Sequence, residues 1–136
     1  VTEKAFKRQK KRVQKYLRHW KILLGLGVWR IDVEWYDGRL TETRGGHDSR
    51  DTVLADIHVS WEYLKATMRV NIEAVSKLSD EQLEEVIIHE LLHAVVNEMR
   101  NFSADDGIYH EERVVSTLTS VIGWVRDHYQ PEPATK

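Results

Sequence analysis

The sequence contains no cysteine. Disulfide staples and thiolate metal sites are therefore excluded, and the absence fits a reducing compartment. No apolar run approaches the roughly 20 residues that a membrane helix needs. The basic N-terminus also lacks the apolar stretch of a secretion signal. These absences lead us to expect a cytoplasmic protein without membrane contact. Val1 is not a start methionine, so a few leading residues are expected to have been removed.

What is present is ordinary for a globular chain. At 136 residues, with 41% apolar and 31% charged residues, the size fits one domain over 1–136 built on one core. The net charge of −2 hides an asymmetry. Residues 1–21 carry nine Lys/Arg against Glu3 alone, whereas the rest holds 11 basic and 21 acidic residues. Such a basic segment is either an arm for nucleic acid or an acidic partner, or a solvated helix face whose charge complements the acidic body. Residues 1–21 lack the interleaved aromatic pattern of a base-stacking surface, which favours the solvated face.

Phe6, Val13, Leu17, Trp20 and Leu24 recur at helical spacing, and the helix should stop at Gly25-Leu26-Gly27. Three alternating segments follow. Trp29, Ile31, Val33 and Trp35 share one face. Val53, Ala55, Ile57, Val59 and Trp61 repeat the pattern, and Met68, Val70 and Ile72 give a shorter case. Each predicts a strand with one buried face, as in an antiparallel sheet covered on one side. The polar, glycine-bearing stretch between the first two reads as a loop. His47 in it, and His58 on a polar strand face, are expected to be structural and not ligands.

Ser79 and Gln82 form a candidate capping box, so a second helix should run from about Asp80 to Met99. A last helix is expected from about His110 to His128, with Val114, Val115, Leu118, Val121, Ile122 and Val125 as its apolar residues.

The second helix carries "IIHELLHAVV", residues 87–96. Residues four apart on a helix sit about 40° apart in azimuth and about 6 Å apart along the axis. His89 and His93 can thus direct both imidazoles at one zinc ion. Glu90, about 100° further around, flanks the metal and is placed to take a proton from its water. A pattern with three fixed positions arises by chance too often to stand alone. Its uncharged neighbours strengthen it, because a carboxylate inside such a helix is costly to bury without a partner and a metal supplies one. The bland alternative is a pair of core histidines bonded to backbone.

"VIIHELLHAV" resembles the active-site helix of the zincin metallopeptidases, which carry this His-Glu-x-x-His among uncharged residues. The order of elements is similar to a minimal zincin core over roughly residues 28–126. The size and layout are similar to small metallopeptidase-like proteins of phage and prophage genomes. The resemblance implies an α+β fold with an N-terminal helix, a small three-stranded antiparallel sheet, the metal helix and a C-terminal helix. It further implies Zn2+ held by His89 and His93, with Glu90 as the catalytic base and a peptide or protein as substrate.

A catalytic zinc takes three protein ligands and a water. Metzincins and the rRNA-processing zinc endonucleases place a third histidine six residues after the second, where this chain has Met99. Gluzincins use a glutamate on the next helix, commonly 19 residues on, and that position is Glu112. Its neighbour Glu111 competes. Glu111 lies in line with Val114, Val115 and Leu118, aimed at the core. Glu112 lies at the stripe's edge beside Ser116 and Thr119, and the gluzincin spacing favours it. Tyr109 or His110 is a candidate donor to an oxyanion, and Asn97 a candidate partner for a ligand's second ring nitrogen. The expected function is therefore a zinc metallopeptidase of gluzincin type. A zinc-binding regulatory module without catalysis and a nucleic-acid-associated protein using the basic helix are the alternatives.

Overall fold

A computed structural model describes residues 1–38, 53–97 and 107–128. Side chains of 107–110, including those of Tyr109 and His110, lie outside the described residues, as do His47 and Met99. Among the described residues the chain forms α1 (Glu3–Leu23), β1 (Arg30–Tyr36), β2 (Ala55–Ser60), β3 (Lys65–Asn71), α2 (Ile72–Ser76), α3 (Asp80–Val96) and α4 (Gly107–His128). The architecture is α+β, with four helices and a three-stranded sheet among those residues.

Local chemistry fixes the helix ends. Thr2 caps α1 by accepting from the Ala5 amide at 3.2 Å. At the other end Gly25 takes φ +75°, a conformation that favours glycine. Its N–H donates to the Ile22 carbonyl, while Leu26 N–H donates to that of Lys21, which makes a Schellman closure. Leu26 is buried beneath it. Between these ends Val13, Leu17 and Trp20 form the buried stripe. The expected stop at Gly25 thus stands.

Arg12 fastens α1 to the turn between α2 and α3. It donates to the Leu78 carbonyl at 2.7 Å and the Val75 carbonyl at 3.2 Å, and its Nε pairs with Asp80 at 2.6 Å. Trp20 Nε1 adds a bond to Glu84 at 2.7 Å. Arg12 thus satisfies the Leu78 carbonyl in the turn and shares the Val75 carbonyl with the Leu78 amide.

The sheet departs from the antiparallel expectation. Its order is β1-β3-β2; β1 runs parallel to β3 and β2 antiparallel to it. Alternation of apolar residues reports which face is buried, and it is the same for both pairings, so strand direction was not readable from it. Ala66, Met68 and Val70 of β3 are buried. Ile72, read as the end of that strand, instead begins α2, where Asn71 accepts from the Ala74 amide. On the opposite face Arg69 forms an ion pair with Asp56, its cross-strand neighbour.

The capping box that opens α3 is present. Ser79 Oγ accepts from the Gln82 amide at 3.2 Å, and the Gln82 side chain accepts from the Ser79 amide at 3.0 Å. This helix lies at the centre of the molecule, touching α1, β2 and α4. Residues almost all around it are therefore buried, including Leu83, Ile87, Ile88, Leu91 and Leu92. The helix spans Asp80–Val96 with Asn97 as its cap, and the expected end near Met99 lies outside the described residues.

Candidate metal centre

Three contacts show how α4 meets α3. Arg126, near the end of α4, pairs with Glu84 at 3.4 Å, Glu81 at 3.4 Å and Glu85 at 3.7 Å in the first half of α3. The two helices therefore run antiparallel. The first turns of α4 consequently lie against the second half of α3, where His89 and His93 project.

The result is a cluster of His89, His93 and Glu112 whose candidate ligand atoms lie within 4.8 Å of one another. His93 Nε2 is 3.3 Å from His89 Nε2 and 2.8 Å from Glu112 Oε1, and His89 Nε2 is 3.5 Å from Glu112 Oε2. Ligands about 2.05 Å from a tetrahedral zinc lie about 3.3 Å from each other, so the observed separations fit such an ion. Two imidazole nitrogens and one carboxylate are also a donor set that zinc accepts.

Glu111 plays a different part. It is 1% exposed, and its Oε1 lies 2.8 Å from His93 Nδ1. Buried His93 therefore presents each ring nitrogen to a carboxylate, Nδ1 to Glu111 and Nε2 to Glu112. A neutral imidazole has only one N–H to give, so such a ring needs a second positive centre on Nε2. A proton supplies it in the metal-free protein, and a metal ion would replace that proton. Burial alone would lower the His93 pKa, but the hydrogen bonds to Glu111 and Glu112 outweigh it and hold the ring up at about 9. The same bonds, to His89 and then His93, hold the Glu112 carboxyl well below the ordinary carboxylate range.

Glu90 is buried beside the cluster. Desolvation pushes its carboxyl up to about 7, against the pull of His89 and His93 toward the ionised form. That value suits a group that accepts and returns a proton near neutrality. A cavity of about 560 Å³ opens next to it, lined by Leu54, Ala55, Leu78 and Val86 and reaching His89 and Glu90.

Of the residues singled out in the sequence, His89, Glu90, His93 and Glu112 come together in one place. Tyr109 and His110 belong to the first turn of α4 and not to a preceding loop. Asn97 is the buried cap of α3, and the place beside His93 Nδ1 is taken by Glu111. His58 is exposed on β2. The role of Glu111 was missed. Its alignment with Val114, Val115 and Leu118 marked it as inward-facing, yet nothing local said which imidazole it would meet.

Compared with protein-family models, curated proteins and solved structures, the chain matches none of them.

Proposed function

We propose that this chain is a zinc-dependent peptidase with a minimal zincin-like fold of gluzincin type. The spacing of His89, His93 and Glu112, each 2.8–3.5 Å from the next, carries the reading. Bound by these three, zinc supplies a Lewis acid that brings a water's pKa down to about 7 and polarises a carbonyl. Glu90 takes the proton from the attacking water as the new C–O bond forms. It then delivers that proton to the departing amine as the C–N bond breaks. Glu111 keeps His93 in the tautomer whose Nε2 lone pair faces the metal.

An extended peptide is best placed at the sheet edge that lies beside Glu90. β3 is paired on both sides, so its backbone is already in use. Among the described residues β2 is an edge strand, packed against α3 and next to the cavity that reaches Glu90. A substrate that adds to β2 as a further strand would bring a carbonyl over the metal helix.

The test is Glu90→Gln. The variant should hold one zinc per chain, as the parent does, while losing cleavage across a broad peptide library. A parent protein that takes up no zinc removes the reading. A zinc-loaded parent that cleaves nothing the variant does not would leave a binding module.

A further inference from the structure

The basic segment is not absorbed by the metal centre. Among the described residues, only two of the nine cations in 1–21 form ion pairs, Lys7 with Glu3 and Arg12 with Asp80. Among the described residues, Arg12 is the one cation of this segment that pairs with an acid outside it. The others include like-charged neighbours four apart, such as Lys4 with Arg8 and Lys11 with Lys15. Each such pair disfavours the helix.

One side of this helix forms a built groove. Lys10, Gln14 and Arg18 follow one another at i, i+4 and i+8, and Lys21 continues the row one turn on. They line a cavity of about 500 Å³ whose other wall is β1. Trp35 stands in that wall, half-buried, with Lys10 Nζ 5.5 Å from its ring centroid. Lys15 lies 5.4 Å from the ring of Tyr16 in the same way. Asp32, an acid at the groove, is engaged by Arg30 at 3.2 Å. Among the described residues β1 is an edge strand, with no further strand paired on this side.

We propose that the groove between α1 and β1 binds single-stranded nucleic acid, with Lys10, Arg18 and Lys21 on phosphates and Trp35 as a stacking face for a base. Phe6, Tyr16 and Trp20 of residues 1–21 pack on the core, and the fold brings Trp35 to the basic row from 14 residues beyond Lys21. An aromatic face among cations suits an unpaired base carried on a phosphate chain. An acidic protein segment would use the cations but leave Trp35 without a role, and a duplex would keep its bases stacked on one another.

The measurement is fluorescence anisotropy of a labelled oligothymidine and a labelled oligouridine of about 20 nucleotides, titrated with the intact chain. Three phosphate contacts predict that affinity falls about 20-fold between 50 and 200 mM salt, from a slope of about −0.7 per contact. The triple variant Lys10→Gln, Arg18→Gln, Lys21→Gln should flatten that slope, while Lys77→Gln at the cap that follows α2 should leave it unchanged. Trp35→Leu should weaken binding at least about fivefold at every salt concentration without altering the slope. Trp35→Tyr, which keeps a ring in place, should restore most of the loss. Glu90→Gln should bind as the parent does, which keeps this proposal separable from the peptidase reading. No binding at 50 mM salt, or a triple variant that binds like the parent, overturns it. So does a polyglutamate peptide that binds as tightly as the oligonucleotides, which would assign the groove to an acidic protein partner.

Discussion

Replacing Glu111 by Gln separates a ligand from a group that orients a ligand. The substitution keeps the side chain's size and an oxygen that can accept from His93 Nδ1–H, but it removes the buried negative charge 2.8 Å from that nitrogen. Loss of such a partner to a metal-bound histidine costs about 10–100-fold in metal affinity, or about 1.4–2.7 kcal/mol. A second effect opposes it. With His93 held at about 9, zinc must displace a proton at pH 7.5, which weakens apparent binding by roughly 30-fold. Removing Glu111 lowers that pKa and relieves part of this competition. The parent's apparent zinc affinity should therefore rise about tenfold per unit between pH 7 and 9, whereas the variant's should rise less. The two proteins should differ least at pH 7 and by about tenfold or more at pH 9. Competition against a chelating dye across that range reads both quantities. Equal affinities and equal slopes would refute any action of Glu111 on His93. Abolished binding in Glu111→Gln, with binding kept in Glu112→Gln, would reverse the assignment of the third ligand.

Other outcomes follow from the same geometry. The metal-free protein should be most stable near pH 5 and lose stability steadily toward pH 9, as followed by thermal melts. Raised Glu90 and His93 each contribute stability below their unfolded pKa values and lose it as pH rises through about 7 and about 9, while lowered Glu112 contributes above its unfolded value and loses it in acid. Free zinc at about 100 times its dissociation constant should add about 2.7 kcal/mol, and a chelator should reverse the resulting rise in Tm. A Tm that zinc does not move would count against the centre. Met68→Ala, at a fully buried position in the central strand, should cost about 2–5 kcal/mol in urea unfolding without changing zinc stoichiometry. Ser79→Ala breaks the capping box of the metal helix and should cost about 1 kcal/mol in the same assay, a loss that Ser79→Asp should largely restore.

Much of this protein was determined within short stretches of its sequence. The capping box at Ser79 and Gln82, the glycine closure of α1 and the buried stripe of that helix depend on contacts within a turn or two, so their residues announce them. The pairing of His89 with His93 belongs to the same class, because helical geometry alone brings residues four apart onto one side. Inward-facing Glu111 and edge-placed Glu112 were also legible as positions on a helix. Which imidazole nitrogen each of them meets was decided only in the tertiary structure, where α4 packs antiparallel along α3 with Arg126 paired at the far end. Strand direction was decided there too, since alternation is blind to whether a neighbour runs parallel. The same holds for Trp35, which lies outside the basic segment in the chain and beside it in space. Periodicity and capping are short-range and written where they act. The choice of partner across the chain rests on packing summed over whole elements, and no short stretch of residues carries it.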